Sequence, residues 1–247
     1  GVDIPLQITG TERLDQVLLS VSKRVSRPAQ DAGLHVNSDG TVRVIPSQQG
    51  LEVDLPALRE AVLATAAELD REVVVPLSVT APTYTTSQAR AWGIRHVVAS
   101  YETRFSSGDR NRSHNLKLAA DALNGTVLAP GETFSFNKRV GPRAQKLGYK
   151  EAPVVIGGEL VPDVGGGVCQ VSSTLYNAVI LAGLKVNYRS SHSIPSTYVP
   201  LGQDAAVAYD YLDFRFTNST TGYLYLKTTV KSNRLEVALL GPDPGPK

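Results

Sequence analysis

The chain has 247 residues, of which 25 are Lys or Arg and 23 are Asp or Glu, so its formal net charge is only +2. The basic residues are scattered and no stacking aromatic residues accompany them, which argues against nucleic acid as a partner. A single cysteine excludes an intramolecular disulfide, and no stretch resembles a signal peptide or approaches the roughly 20 apolar residues of a membrane span.

Residues 1–82 are expected to form a small α+β domain. The run Thr9-Gly10-Thr11-Glu12 has the pattern of a capping box, and apolar residues at helical spacing follow it until Pro28 ends the helix. Alternating apolar residues around Ser38-Asp39-Gly40 predict a hairpin, Asp54 is placed to cap a second helix, and residues 73–79 have the composition of a strand. This domain contains no cysteine and no dense polar cluster, so we expect no catalysis in it.

Residues 83–92 are predicted to be a linker, because the segment is polar and follows a proline. Beyond it, residues 93–241 are expected to form a strand-rich α+β domain. A helix is predicted at residues 115–123 and another after residue 167. The predicted strands lie within residues 94–105, 127–136, 154–160, 186–189, 211–216, 223–230 and 235–240. Residues 242–247 are rich in Pro and Gly and are predicted to be a disordered tail.

The one cysteine, Cys169, directly follows the run Gly165-Gly166-Gly167-Val168. Behind it, Ser172, Ser173 and Thr174 are residue types that cap helices, and apolar residues then recur at helical spacing. A thiol at a helix start lies near unpaired backbone N–H groups and the positive end of the helix dipole, and both favour the thiolate. The glycines would let a substrate backbone approach closely. We therefore predict that Cys169 is a nucleophile at the start of a helix, rather than a small buried side chain.

His192 is the predicted base, because histidine has an ordinary pKa that suits proton transfer near neutral pH. An acceptor must orient the imidazole, and both Asp204 and Asp213 remain open for that role. The other histidines lack metal-ligand spacing to one another or to the cysteine, so neither a metal nor a cofactor is expected.

Arg189 is the first candidate for binding a substrate carboxylate, since it lies three residues before His192 and a guanidinium can bind a carboxylate with two hydrogen bonds. Gln170 could donate a backbone or amide N–H to an oxyanion. The further expected substrate contacts are Gly166, Gly167, Ser172, Tyr176 and Ser193. The next candidates for the carboxylate are Arg110, Arg143 and Lys150.

The second domain resembles the VanW family over about residues 100–230. The resemblance rests on residues 128–137, on the block from Gly165 to Ala178, on Arg189 and His192, and on residues 198–205. The first domain resembles the peptidoglycan-binding domain that often precedes VanW and L,D-transpeptidase domains, on residues 50–54 and 75–77.

The resemblance implies a cysteine L,D-transpeptidase that forms 3→3 cross-links between peptidoglycan stem peptides through a Cys169 thioester. A cysteine peptidase or amidase on the same polymer, and a non-catalytic wall-binding module linked to glycopeptide resistance, remain alternatives. The expected partners are stem peptides and glycan. The chain contains no Met, so we expect a processed or trimmed fragment. We expect the full-length protein to be extracytoplasmic and associated with the cell wall, with a membrane anchor only in a segment absent from this chain.

Overall fold

The computed structural model of the protein describes residues 11–65, 72–156 and 158–242. The chain divides into two compact units, one of residues 1–33 with 44–89 and one of residues 34–43 with 90–247. Residues 34–43, assigned above to the first domain, group with the second unit. Residues 9 and 10 of the predicted capping box and residues 243–247 of the predicted tail lie outside the described residues. No helix within the described ranges has both the length and the apolar character that a membrane span requires.

The N-terminal part of the chain alternates short strands with helices. Its elements are α1 (Thr11–Val25), β1 (Gly33–Val36), β2 (Val42–Ile45), β3 (Gly50–Val53), α2 (Leu55–Thr65), β4 (Leu77–Thr80) and α3 (Thr86–Ala91). Strands β1 and β2 form the predicted hairpin, and β3 pairs antiparallel with β4. Asp54 caps α2 as predicted, because its Oδ1 accepts the backbone N–H of Ala57 at 3.0 Å.

Two local predictions in this part differ from the structure. The strand predicted at residues 73–79 is confined to β4, and its partner β3 was not predicted. Helix α3 lies within the predicted linker: the backbone N–H of Thr85 donates to Gln88 Oε1 at 2.8 Å, and that of Gln88 donates to Thr85 Oγ1 at 3.3 Å. This reciprocal capping box starts a helix where the polar composition indicated only a connection.

The second unit carries the remaining elements. They are β5 (His96–Arg104), α4 (Arg110–Leu123), β6 (Thr126–Leu128), β7 (Thr133–Ser135), α5 (Phe136–Val140), β8 (Glu151–Ile156), β9 (Glu159–Val164), α6 (Val168–Leu181), β10 (Lys185–Tyr188), β11 (Arg215–Thr217), β12 (Leu224–Lys231) and β13 (Arg234–Gly241). The helix predicted at residues 115–123 therefore starts earlier, where Asp109 accepts the backbone N–H of Arg112.

An antiparallel sheet in the order β5-β13-β12-β6 supports the two long helices of this unit. Helix α6 packs against β5 and β13, while α4 packs against β12 and α6. The side chains between them are fully buried, among them Leu116, Leu175, Leu226 and Leu239. Separate helices on small antiparallel sheets confirm the predicted α+β class, and α6 is fixed on the core along its length.

Two smaller pairings complete the unit. Strands β10, β11 and β7 form a three-stranded antiparallel sheet, and β8 pairs with β9 as the hairpin predicted near residues 154–160. The strand predicted at residues 211–216 is confined to β11. The chain between β10 and β11 is a long irregular segment, tied together by isolated bridges such as Ser190 to Ala206.

Candidate active site

The start of α6 has a backbone that suits glycine alone. Gly165 and Gly167 have φ angles of +97° and +107°, and Gly167 is the N-cap of the helix. A Cβ on Gly166 would lie 2.6 Å from the carbonyl oxygen of Pro153 in β8, and one on Gly167 would lie 2.8 Å from the carbonyl oxygen of Arg112 in α4. The missing side chains therefore face the protein's own backbone. The glycines bring α6, β8 and α4 together, which is a packing role that the sequence did not predict.

The hydroxyl residues expected at the helix start lie inside α6 instead. Ser172 Oγ donates to the carbonyl of Ala205 at 2.6 Å, and Ser173 Oγ donates to the carbonyl of Cys169 at 2.8 Å. Ser172 is fully buried, so the structure contradicts its predicted contact with substrate. These hydroxyls tie α6 to the irregular segment that carries His192.

Cys169 lies in the first turn of α6, where the prediction placed it. Its Sγ is 3.4 Å from the carbonyl oxygen of Val207. The backbone N–H groups of Val168 and Gln170 donate to glycine carbonyls, whereas the N–H of Cys169 has no acceptor in the part of the chain that the structure describes. The sulfur and a backbone donor without an acceptor among the described residues thus belong to the same residue.

His192 joins the sulfur to a carboxylate. Asp204 Oδ2 lies 2.5 Å from His192 Nδ1 and also accepts the backbone N–H of His192 at 2.6 Å. The Nδ1 contact leaves Nε2 for the sulfur, and the imidazole lies close enough to the Cys169 side chain for each group to shift the pKa of the other. The side chains of His192 and Asp204 are only 10% and 8% exposed, so the orientation of the ring is well defined. Of the two acidic candidates, Asp204 is the one that orients the imidazole.

The charges of this group stabilise one another. Burial raises the pKa of the Cys169 thiol, but the hydrogen bond and charge of His192 outweigh it and leave that pKa below its ordinary value. Burial lowers the pKa of His192. Its contacts with Cys169 and Asp204 raise that pKa by more than burial lowers it, so the net shift is upward. Burial likewise raises the pKa of Asp204, and its hydrogen bonds with His192 bring it below the ordinary value. These directions favour a thiolate beside an imidazolium.

Asp213, the second acidic candidate, belongs to a different cluster. Its carboxylate accepts from Ser135 Oγ at 2.7 Å, from the backbone N–H of Asn137 at 2.9 Å and from Arg215 Nε at 2.7 Å. These contacts fix the start of α5 against β11. The predicted alternative role of Asp213 in orienting His192 is therefore wrong.

Arg189 lies behind Asp204 and does not line the cleft described below. Its Nε donates to the carbonyl of Asp204 at 2.6 Å, and its Nη2 donates to Asp204 Oδ1 at 3.0 Å. The guanidinium also lies over the ring of Tyr176, at 5.2 Å, and that ring packs edge-on against Phe214. Arg189 and Tyr176 thus support the carboxylate from the core side, and the predictions that they contact substrate are wrong.

Gln170 has no free amide group to offer an oxyanion. Its Oε1 accepts from Arg112 Nη2 at 2.7 Å, and its Nε2 donates to Thr103 Oγ1 at 3.0 Å and to the carbonyl of Arg104 at 2.9 Å. The side chain is buried and instead positions Arg112. Ser193, another predicted contact, is exposed and does not line the cleft.

The sulfur and the imidazole lie in the wall of a cleft of about 810 Å³ within the second unit. One side of the cleft is the β8–β9 hairpin, and another is the segment from His192 to Tyr198. Gly166, Gly167 and Gln170 also line it, so among the predicted substrate residues these three border the cleft. Charged residues in the wall, besides His192, are Arg104, Asp109, Arg112, Arg143 and Asp163.

Arg112 and Tyr198 are cleft residues that the sequence analysis did not single out, and Arg143 was only a reserve candidate. Arg143 Nη1 donates to Asn137 Oδ1 at 2.7 Å, and burial lowers the pKa of its guanidinium. Burial, together with the nearby charge of Cys169, raises the pKa of Tyr198, so its hydroxyl stays protonated. Local periodicity carries no signal for these residues, because only the chain path around α6 brings them to the sulfur. Within the described ranges, no three His, Cys, Asp or Glu side chains converge as a metal site would require.

The second unit thus places a cysteine, a histidine and an aspartate next to one another at a cleft. A family model described as VanW like protein matches residues 111–240, more than half of the chain, and the chain belongs to that family. A second model, described as "Putative peptidoglycan binding domain", matches residues 10–74. Both resemblances found in the sequence, and their order, are confirmed, and they indicate a role connected with the cell wall.

Two curated relatives are similar to the VanW part. The uncharacterized protein YoaR of Bacillus subtilis (strain 168) is 44% identical over 146 residues, which cover 59% of this chain and 48% of the relative. The vancomycin B-type resistance protein VanW of Enterococcus faecalis is 36% identical over 115 residues, covering 44% of this chain and 42% of the relative. The chain therefore spans less than half the length of each. No solved structure matches the chain.

Proposed function

We propose that the protein is a peptidoglycan L,D-transpeptidase, a cysteine acyltransferase that forms 3→3 cross-links between stem peptides. The observation that carries the proposal is the placement of Cys169 beside His192, whose imidazole is bonded to Asp204, in the wall of a cleft. Buried structural cysteines do not need a charged imidazole partner, whereas acyl transfer needs a nucleophile and a base within hydrogen-bond reach.

In the first step, the Cys169 thiolate attacks the carbonyl carbon of the third stem residue. The backbone N–H of Cys169, which has no acceptor among the described residues, is available to the oxygen as negative charge develops on it. The C–N bond to the terminal D-Ala breaks, and the departing amine takes the proton of the His192 imidazolium. The products are a thioester on Cys169, neutral His192 and free D-Ala.

In the second step, the side-chain amine of another stem attacks the thioester carbonyl. Neutral His192 takes a proton from this amine as the new C–N bond forms and the C–S bond breaks. The thiolate and imidazolium are restored, so the two steps balance. Asp204 keeps Nε2 directed at the sulfur throughout, because it holds Nδ1 and the backbone N–H of the same residue.

The first unit would bind glycan and so hold the enzyme on its polymer, as the match to a peptidoglycan-binding model suggests. The proposal also places the protein outside the cytoplasm at the cell wall. Since one relative is named a vancomycin B-type resistance protein, we extend to this chain a part in the response to glycopeptides.

Incubation of the protein with purified muropeptides, followed by mass analysis, tests the proposal. We expect dimers joined through the third residues, with one D-Ala released for each, and none with Cys169→Ala. Shortened or cleaved stems without dimers would replace transfer by hydrolysis and make the protein a cysteine peptidase or amidase. Unchanged muropeptides with both forms would overturn catalysis and leave a wall-binding module.

A further inference from the structure

The cleft arginines differ from two other arginines of the second unit. Arg189 is paired with Asp204, and Arg215 is paired with Asp213. Neither Arg112 nor Arg143 forms an ion pair with any carboxylate among the residues that the structure describes. A partly desolvated guanidinium is unfavourable unless an anion compensates its charge, so this part of the cleft has unmatched positive charge.

Arg143 is held in place without being neutralised. Its guanidinium lies 5.5 Å from the ring centre of Phe136 and 5.9 Å from that of Tyr209, and Nη1 is bonded to the neutral amide of Asn137. Its Nη2 is buried and has no hydrogen-bond partner. A Cβ added to Gly165 would lie only 2.7 Å from the Cβ of Arg143, so Arg143 packs directly against the start of α6.

Arg112 packs against Gly167, as Arg143 packs against Gly165: a Cβ on Gly167 would lie 3.0 Å from Arg112 Cγ. One nitrogen, Nη2, is fixed at 2.7 Å by the buried amide oxygen of Gln170. The remaining donors have no partner among the described residues. Neither acidic residue of the cleft wall forms a salt bridge with Arg112: Asp109 Oδ1 accepts the backbone N–H of Arg112, and Asp163 Oδ1 accepts that of Val164. Arg112 is thus oriented and still able to bind an anion with two parallel hydrogen bonds.

We infer that Arg112, backed by the charge of Arg143, forms a carboxylate subsite that selects an anionic peptide for attack by Cys169. The inference rests on the proposed function and adds the residues that determine its specificity. The carboxylate has two chemical sources in a stem peptide: the terminal carboxylate of the departing residue, or a side-chain carboxylate on the residue that is attacked. The first lies on the residue that follows the reacting carbonyl, and the second lies on the residue that carries it.

Alkylation of the thiol with matched reagents tests the subsite without any need for catalysis. Iodoacetate and iodoacetamide undergo the same reaction, in which the thiolate displaces iodide, but only iodoacetate carries a carboxylate. The ratio of their rates, relative to that of free cysteine, therefore reports the local field and cancels any change in the thiol pKa. We expect Arg112→Gln and Arg143→Gln each to lower this ratio about tenfold at low ionic strength.

Lys117→Gln is the matched control, since it removes one positive charge from the same helix at an exposed position paired with Asp121. Its ratio should equal that of the unmodified protein. Arg112→Lys keeps the charge and should keep most of the ratio, so it remains informative if a Gln variant does not fold. Equal ratios in Arg112→Gln, Arg143→Gln and Lys117→Gln would overturn the inference.

Peptide substrates then separate the two sources of the carboxylate. Amidation of the carboxylate that Arg112 binds should raise KM, and Arg112→Gln should then have no further effect. Applying this test separately to the terminal and the side-chain carboxylate identifies the one that is bound. If cross-links form but neither amidation nor substitution matters, the subsite is wrong while the transpeptidase stands. If the alkylation ratio responds but no transfer occurs, the subsite stands and the transpeptidase fails.

Discussion

Asp204 and Asp213 are 5% and 7% exposed, each is paired with an arginine, and each accepts backbone as well as side-chain hydrogen bonds. They differ in what lies beyond the first partner. Asp204 holds an imidazole whose other nitrogen faces a thiol in an open cleft. Asp213 holds the hydroxyl of Ser135 and backbone N–H groups, and none of these contacts reaches a thiol or an imidazole. We call these groups the Asp204 cluster (Asp204, His192, Arg189, Cys169) and the Asp213 cluster (Asp213, Ser135, Asn137, Arg215).

The difference shows that burial and pairing of a carboxylate do not by themselves mark a reactive site. Folding lowers the pKa of both carboxyls, for related reasons. What distinguishes the Asp204 cluster is that its hydrogen bonds end on a group that can change its charge and its covalent bonds. Substitutions at corresponding positions of the two clusters test this distinction.

The largest difference between the two clusters is expected when Cys169 Sγ or Ser135 Oγ is removed. Cys169→Ala should abolish thiol alkylation and cross-linking while leaving the thermal unfolding midpoint nearly unchanged. Ser135→Ala removes the corresponding hydroxyl of the Asp213 cluster. Because Ser135 Oγ also caps α5, that variant should lose about 1 kcal/mol of stability and keep its alkylation rate. Cross-linking that survives in Cys169→Ala would end the comparison.

His192→Gln should have the next largest effect. The lowered pKa of Cys169 and the raised pKa of His192 mean that the ion pair exists between these two values. Alkylation should therefore begin below the ordinary thiol range of about 8.5 and persist as the pH rises. Without the imidazole, the alkylation profile should move toward that range, with a rate about 100-fold lower near pH 6.5. Stopped-flow alkylation between pH 4 and 10 measures this; coincident profiles for the two proteins would rule out the pair.

Asp204→Asn and Asp213→Asn form the third test. Each removes a charge-assisted acceptor from a buried position, and each should lower the free energy of unfolding by about 2 kcal/mol. Only Asp204→Asn should also slow alkylation, by about tenfold, since it alone disturbs the imidazole. Urea unfolding and iodoacetamide kinetics on the same samples decide the matter. An equal decrease in the alkylation rate of both variants would mean that the Asp213 cluster also affects the imidazole.

The acid limb of stability follows from the same two carboxyls. Because folding lowers each pKa, the stabilisation is complete above the unfolded value of about 3.9 and is lost as the pH falls through the folded value. The stability difference between either Asn variant and the unmodified protein should therefore be large at pH 7 and shrink toward pH 2. Urea midpoints at a series of pH values provide the test, and a constant difference would contradict it.

The smallest effects are expected for the arginines. Arg215 has a side chain that is 56% exposed, so Arg215→Gln should change stability by less than about 1 kcal/mol. Arg189 is 23% exposed and also packs on Tyr176, so Arg189→Gln should cost somewhat more and slow alkylation about twofold. Thermal unfolding with parallel alkylation measures both, and the opposite order would show that exposure is a poor guide here.

Local sequence patterns predicted much of the fold and the proximity of Cys169 and His192. Helical spacing after Gly167 predicted α6 and the position of Cys169 in its first turn, and the nature of the side chain pointed to His192. The choice between Asp204 and Asp213 could not be made, because no local pattern shows which carboxylate faces His192: Asp204 lies outside every predicted element, and Asp213 lies in the strand predicted at residues 211–216. Arg189 was assigned to substrate from its distance along an extended segment, but that segment turns, and Asp204 takes the guanidinium. The partners of Arg112 and Gln170 depend on the contact of α4 with α6, which no local pattern encodes.

The glycine turn before α6 has a consequence for genetics. A genetic screen that scores only loss of function would not distinguish a substitution at Gly166 from one at Cys169. Any side chain at Gly166 must displace the β8 backbone, which lies 2.6 Å from where its first carbon would be. Such a mutant would keep every reactive group and lose their alignment. Intolerance to substitution at Gly165, Gly166 and Gly167 would therefore reflect the packing of α6 on β8 and α4. A thiol-reactivity assay on folded protein would tell the two kinds of mutant apart.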